Sequence, residues 1–429
     1  MIPTIIISSI TFVAVMLSIL FLPKIKIRKI QISTYWIVAL IGAILLLSFG
    51  FAPFKETWSQ LTNNNSINPI KIIILFFSMT ILSIFLDEVG LFQYLANLAV
   101  KHAKNRQFAL FSIFYALTAV LTIFTSNDIV ILTFTPFICF FCKNSKINPI
   151  PYLVAEFSAA NTWSLMLIIG NPTNIYLATS ANVGFFEYVK VMALPTLLTG
   201  IVEYGVLVLV FFKKLKEPLQ VVHEEYRIEN KVALFVGLGH LLTCLIFLII
   251  SSYIKVEMWL ISLICAGSLL IFVLIMCLFT KKNWNYLTGS LKKLPYPLIP
   301  FFLSMFVIIV AFSYQGISEE ITKLLSHTDA IWTYGLSSFL TSNLINNIPM
   351  SILFSNMCTN ESAVFASIIG SNIGAFLSPM GALAGIMFTT LVNNHDIKYS
   401  FLDFVKYGVI VSIPVIAVAL LTLSLSITF

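Results

Sequence analysis

The sequence predicts an all-α polytopic membrane protein: about ten transmembrane helices, two re-entrant hairpins and two discontinuous helices, arranged as an inverted repeat. Three observations predict it. Of the 429 residues, 59% are hydrophobic and 10% charged, with mean hydropathy +0.97, whereas soluble domains run nearer half apolar and a quarter charged. The apolar residues gather into stretches of bilayer length. Four segments are broken by clusters of Pro, Gly, Asn, Ser and Thr at matching places in the two halves of the chain. The composition excludes a soluble enzyme, a disordered chain and a nucleic-acid binder. The net charge of +7 fits basic cytoplasmic loops better than a polyanionic partner.

A spanning helix needs roughly 20 mostly apolar residues. Ten stretches qualify: about 2–22, 34–53, 69–86, 150–178, 192–212, 232–251, 257–279, 294–313, 361–391 and 402–427. The first has no basic residues before it and Lys24, Lys26, Arg28 and Lys29 after it. That order is wrong for a signal peptide and places the N-terminus outside. Segments 107–142 and 331–357 are apolar but interrupted in the middle. Alternation from the first span leaves only Lys55, Lys71, Lys190, Lys255 and Lys323 outside, with the other 20 of the 25 basic residues inside. This bias holds only if both interrupted segments return to the side they left. Segment 107–142, flanked by Lys101, Lys104, Arg106, Lys143 and Lys146, becomes a hairpin opening to the cytoplasm. Segment 331–357 becomes one opening outward, and the C-terminus falls outside. The protein is then expected in the plasma membrane.

Each half reads as three spans, a hairpin and two further spans. Residues 1–212 form the first repeat, with its broken helix at 150–178. Residues 213–231 are a charged cytoplasmic linker. Residues 232–429 form the second repeat, broken at 361–391. Five crossings per half invert the second copy, the architecture of secondary transporters, which hold substrate where the breaks meet.

The first hairpin tip is Thr125-Ser126-Asn127-Asp128, and the following span breaks at Gly170-Asn171-Pro172-Thr173-Asn174. The second tip runs Ser342-Asn343-Leu344-Ile345-Asn346-Asn347-Ile348-Pro349, and its following span breaks at Gly370-Ser371-Asn372-Ile373-Gly374. Pro removes a backbone donor and Gly frees the backbone from helical geometry. Backbone freed in hydrocarbon survives only when buried in protein or lining a wet cavity. The Asn, Ser and Thr side chains supply donors and acceptors there. These clusters are the candidate substrate or ion ligands.

Asp128 is the leading proton-coupling candidate, because a carboxylate at that depth must be paired, hydrated or protonated. Glu156 and Glu203, inside later spans, are either further proton carriers or structural partners. Asp87 and Glu88 close the third span. They either cap the amphipathic helix that follows, within 86–106, or guard a cytoplasmic access path. No metal site or disulfide framework is indicated by the six Cys; Cys139 and Cys142, spaced i, i+3, read as a packed pair. The chain has no Walker A loop, no HExxH, no Arg ladder and no TVGYG filter. It is expected to be no enzyme, to need no cofactor beyond a coupling ion, and to draw on an ion gradient or a separate ATPase subunit.

Four stretches carry a family resemblance: ILSIFLDEVGLFQYLA (81–96), TSNDIVILTFTP (125–136), NLINNIPMSILF (343–354) and GSNIGAFLSPMGALA (370–384). In sequence and order they resemble the arsenite/antimonite permeases (arsenical pump membrane proteins) of the ion transporter superfamily, over nearly all the chain from about residue 70. The resemblance implies export of trivalent arsenic or antimony hydroxide against proton inflow. It also implies that Asn127, Asp128, Asn346, Asn347 and Asn372 face substrate or coupling ion. One motif departs: Gly170-Asn171-Pro172-Thr173-Asn174 looks more like the sodium-coupled dicarboxylate and sulfate transporters of the same superfamily. Those relatives carry Ser-Asn-Thr at both tips, where this chain has Ser126-Asn127-Asp128 and Ser342-Asn343-Leu344. A sodium-coupled anion transporter and a sodium/proton antiporter therefore stay open, as does a receptor-like protein that binds without transporting. Expected partners are a small inorganic or anionic solute and membrane lipid; a homodimer and a cytoplasmic ATPase are open alternatives.

Overall fold

A computed structural model gives the fold. It describes residues 1–22, 24–27, 30–63, 68–103, 106–217, 227–280, 283–325 and 329–428. Arg28, Lys29, Lys104, Lys281, Lys282 and 218–226 of the expected linker lie outside the described residues.

Among the described residues, seven helices are long and apolar enough to cross a membrane: Ile2–Ile19, Pro69–Glu88, Gln107–Phe124, Phe185–Phe211, Lys231–Ile249, Met258–Thr280 and Phe401–Ile427. Leu298–Tyr314 makes an eighth when joined to Ile317–Leu325, from which it is bent by 80°. The expected span 34–53 is a shorter apolar helix, Tyr35–Ser48. The spans expected to break do so: Ile150–Trp163 leads through a 3-10 turn, Ile168–Gly170, into Pro172–Ser180. The second span breaks later than expected: Gly370-Ser371-Asn372-Ile373-Gly374 completes the helix Glu361–Gly374, and the irregular stretch is 375–382, around Pro379, before Leu383–Asn394.

Two features depart from the expectation. The first loop holds an antiparallel ribbon, Lys24–Ile27 paired with Ile30–Ser33 in the register Lys24↔Ser33 to Ile27↔Ile30. The Lys-Ile alternation has the period of two that suits a strand; the ribbon is confined to this loop of an otherwise all-α fold. The second departure is the first arm of the first hairpin, Gln107–Phe124, which at 18 residues is about 27 Å long, close to the thickness of a hydrocarbon core. The hairpins are unequal. The first pairs Gln107–Phe124 with Asn127–Asn144; the second pairs Ala330–Ile345 with the nine-residue Asn347–Ser355.

The order of elements runs alike before and after the charged linker. In each part an amphipathic helix follows the second and third apolar helices: Phe54–Thr62 and Leu91–His102, then Trp284–Lys292 and Ile317–Leu325. Packing is reciprocal between the parts. Tyr35–Ser48 packs on Leu298–Tyr314, and Pro69–Glu88 on Met258–Thr280. Phe185–Phe211 lies along Phe401–Thr428. The second arm of each hairpin reaches across to the far half of the other part's broken span: Asn127–Asn144 packs on Leu383–Asn394, and Asn347–Ser355 on Pro172–Ser180.

The cores of the two hairpins differ. In the first, Phe114 packs edge-on against Phe134, Phe137, Phe141 and Tyr152, the offset geometry aromatic rings prefer. In the second, Gly370 and Gly374 form a small-xxx-small face against Gly335, Ser338 and Ser342. Between helices in lipid, where little hydrophobic drive exists, such close backbone approach supplies the attraction.

Candidate functional site

The two broken spans meet at their breaks. Asn171 is the N-cap of Pro172–Ser180: its Oδ1 accepts from Thr173 N at 3.1 Å and from Thr173 Oγ1 at 3.1 Å. This satisfies a backbone donor that the helix start would orphan. The Asn171 Nδ2 donates to Asn372 Oδ1 at 2.8 Å, and Ser164 Oγ donates to the same oxygen at 2.8 Å. Asn372 Nδ2 donates to Asn174 Oδ1 at 2.7 Å and to Ile368 O at 2.8 Å. Asn174 Nδ2 in turn donates to Ser164 O at 2.8 Å. Ser371 Oγ donates to Thr173 Oγ1 at 3.4 Å. Asn372 thus fills both donor and both acceptor positions of its amide in a site where Asn171, Thr173, Asn174, Ser371 and Asn372 are all buried. The partners in this cluster are neutral amides, hydroxyls and backbone carbonyls.

The hairpin tips flank the cluster. At the first, Asn127 Nδ2 donates to Asn161 Oδ1 at 3.1 Å, and Asn127 Oδ1 accepts from Asp128 N at 2.9 Å. At the second, Asn343 Nδ2 donates to Phe339 O and Gly374 O, both at 2.9 Å, and its Oδ1 accepts from Ser378 Oγ at 2.7 Å. Ser342 Oγ donates to Phe339 O at 3.0 Å. Asn346 takes a positive φ of 74° and donates through Nδ2 to Met380 O at 2.9 Å, while Asn347 N donates to Gly381 O at 3.1 Å. Both tips keep one buried acceptor without a protein partner among the described residues: Ser126 Oγ and Asn347 Oδ1. Leaving such groups unmade is costly.

The three carboxylates considered as proton carriers lie elsewhere. Asp128 lines a cavity of about 280 Å³ bounded by Lys24, Tyr35, Thr80, Lys293 and Asn394. Glu156 is buried on Ile150–Trp163, where both its oxygens accept from Thr135 Oγ1, at 2.9 and 3.0 Å. Glu203 accepts from Tyr115 OH at 2.8 Å and Thr162 Oγ1 at 3.0 Å.

Lys293, which also lines the Asp128 cavity, reaches Asp87 through its Nζ at 2.7 Å and Glu88 at 2.8 Å. The capping role considered for these acids is not what they do. Leu91–His102 starts from Gly90, at φ 90°, with no side-chain cap; the long-range lysine is a stronger partner than a helix end. A side chain at Gly289 would strike the Glu88 carboxylate. Burial disfavours the Lys293 ammonium, but the charges and hydrogen bonds of Asp87 and Glu88 outweigh it and hold its pKa above the ordinary lysine value.

Sequence reasoning did not find Ser164, Asn161, Tyr35 or Lys293. A signal existed for the first two: Asn161-Thr162-Trp163-Ser164 is a polar run in the last turn before the first break. None existed for Lys293, one of several lysines in a loop.

A helical fold with broken spans meeting in a buried polar cluster is that of a polytopic membrane transporter. Residues 27–366 match the family model described as citrate transporter (CitMHS), and the chain belongs to that family. It is 24% identical over 420 residues to the arsenical pump membrane protein of Escherichia coli, covering 90% of this chain and 92% of that protein. It is 25% identical over 426 residues to the putative arsenical pump membrane protein of Bacillus subtilis, covering 90% and 91%. The crystal structure of the Alcanivorax borkumensis YdaH transporter, reported to have an unusual topology, superposes over 98% of both chains with a TM-score of 0.54 at 13% identity; that likeness is one of fold.

Proposed function

We propose that this protein is a secondary active transporter that exports trivalent arsenic and antimony hydroxides in exchange for protons. The observation that carries this reading is the Asn171–Asn372 cluster. It offers an uncharged set of amides and hydroxyls, which suits a neutral hydroxide: the solute's own O–H groups and oxygens replace hydrogen bonds without leaving a buried charge unpaired. The similarity to proteins named arsenical pump membrane proteins supports the same reading.

In this reading residues 1–212 and 232–429 are inverted repeats about the linker 213–231, with both termini outside. Hairpins and broken spans move together against the remaining helices, exposing the cluster to each side in turn. Ser126, Asn127, Asn171, Thr173, Asn174, Ser342, Asn343, Asn346, Asn347, Ser371 and Asn372 serve as ligands. Asp128, on its own cavity, takes up and releases the coupling proton, with Glu156 a second carrier. No cofactor takes part.

A second reading, sodium-coupled anion transport, is favoured by the Gly170-Asn171-Pro172-Thr173-Asn174 motif and by the family description. Tracer arsenite uptake into everted vesicles, under an imposed proton gradient and separately under a sodium gradient, decides. Proton-driven accumulation supports the first reading. Arsenite left unmoved by either gradient, with sodium-driven citrate or sulfate uptake, establishes the second.

A further inference from the structure

Glu203 is a buried carboxylate that the transport cycle described above leaves unused. It accepts from Tyr115 OH at 2.8 Å and from Thr162 Oγ1 at 3.0 Å. Among the described residues no lysine or arginine forms an ion pair with it. Tyr115 faces it from Gln107–Phe124, and that helix carries a line of hydroxyls. Ser112, Tyr115, Thr118 and Thr122 follow at spacings of three and four, which puts them on one helix face. Ser126 comes four positions on, at the hairpin tip, two residues before Asp128. At the other end, the end expected in the cytoplasm, Ser112 Oγ and Tyr204 OH are 2.6 Å apart and both residues are half-buried. Trp163 Nε1 and Gly200 O fix the Tyr115 hydroxyl, so the line passes Tyr115 beside the Glu203 carboxylate.

Thr118, Thr122 and Ser126 are buried, and none of their hydroxyls has a protein partner among the described residues. Nor has that of Thr199, four residues before Glu203 on Phe185–Phe211. Other buried threonines bond back to their own helix: Thr80 to Phe76 O, Thr125 to Leu121 O and Thr196 to Met192 O. Buried hydroxyls without protein partners are commonly met by ordered water. Four residues of helix rise about 6 Å, a gap that one water bridges with two hydrogen bonds of about 2.8 Å. A hydroxyl both donates and accepts, so a file of hydroxyls and waters passes a proton along without holding charge.

We propose that the hydroxyl face of Gln107–Phe124 is the proton path between Asp128 and the surface, with Glu203 as its relay. The path rests on the proton-coupled reading of the function. Only a proton moves: protonated Asp128 gives one to the file at Ser126, the Glu203 carboxylate takes one up, and Glu203 passes it on toward Ser112 and Tyr204. Asp128 is left ionised and ready for the next proton.

Thr118→Val combined with Thr122→Val tests the path. Valine keeps the shape, and removing these hydroxyls orphans no protein partner. Two rates are read in proteoliposomes. One is proton-driven accumulation of tracer arsenite. The other is arsenite–arsenite exchange at equal pH on both sides, which moves solute without net proton flow. The double valine variant should lose accumulation by about tenfold or more and keep exchange. Glu203→Gln should also lose accumulation. Thr118→Ser combined with Thr122→Ser should keep both rates, as should Thr196→Val, whose hydroxyl bonds only its own helix. Native accumulation in the double valine variant would overturn the path. Loss of exchange together with accumulation would make these residues structural and overturn it equally. A native protein that accumulates arsenite under neither a proton nor a sodium gradient would overturn the transport reading and the path with it, so the two failures are read on different proteins.

Discussion

Asn171, at the break of one discontinuous span, and Asn372, in the last helical turn before the break of the other, stand 201 positions apart in the chain and are joined by a 2.8 Å hydrogen bond. That bond ties the two halves of the molecule at one buried point. Around it Asn372 uses both donor and both acceptor positions of its amide, so the cluster behaves as a network in which removing that one residue orphans several.

Asn372→Ala should show this directly. Ser164, Asn171 and Asn174 would each lose a partner in a buried site, at about 1–3 kcal/mol for each group left unpaired. A drop of several degrees in the thermal unfolding midpoint, together with loss of substrate uptake, is expected. Unchanged stability would mean that water substitutes for the amide.

Asp128→Asn separates coupling from folding. The side chain faces a cavity instead of the packed cluster, so the unfolding midpoint should stay within a degree or two of the native value while proton-driven accumulation disappears. Full gradient-driven uptake in this variant would remove Asp128 from the coupling role. Asn127→Ala, which strips the contact to Asn161, should instead raise the half-saturation concentration.

Lys293→Met leaves Asp87, whose side chain is only 3% exposed, without its cation. Breaking a fully buried pair costs about 3–5 kcal/mol. Lys293 itself is 43% exposed, so solvent screening reduces the expected loss to the order of 1–3 kcal/mol. The sign of the pH dependence follows from the raised lysine pKa. The pair contributes fully below the ordinary lysine value of about 10.4 and is lost as pH rises through the raised one. Native protein should hold a level stability from pH 7 to about 10 and weaken above it. The Met variant should lack this alkaline decline.

Gly370→Ala probes the second hairpin. A Cβ there would collide with Ser338 Oγ and Gly335 O, and the backbone carbonyl cannot swing away. Overpacking of about 1–3 kcal/mol is expected, read as a lowered melting temperature by size-exclusion chromatography after heating. Gly267→Ala, where a Cβ meets open space, should leave the melting temperature unchanged.

Much of this protein was legible in its sequence because a membrane imposes strong rules. Apolar length placed the helices. The rule that freed backbone needs partners pointed to Gly170-Asn171-Pro172-Thr173-Asn174 and Gly370-Ser371-Asn372-Ile373-Gly374; both are buried, but only the first holds a break, while Gly370–Gly374 is the last turn of a helix and the chain turns irregular at 375–382. Asp87 and Glu88 show the limit: sequence offered them the adjacent helix end, and the fold supplied Lys293 from 206 positions away.

The sequence by itself determined the helical membrane class, which spans break and the polar residue types near the breaks, since each follows from local hydropathy and backbone chemistry; the second break itself falls at 375–382, past the Gly370–Gly374 cluster. Only the tertiary structure decided the partners. It joined Asn171 to Asn372, brought Ser164 into their cluster and Tyr115 onto Glu203, and placed Asp128 on a separate cavity with Lys24 and Lys293. These are pairings between segments far apart in the chain. They arise from helix packing across the two halves, and no periodicity within one segment records them.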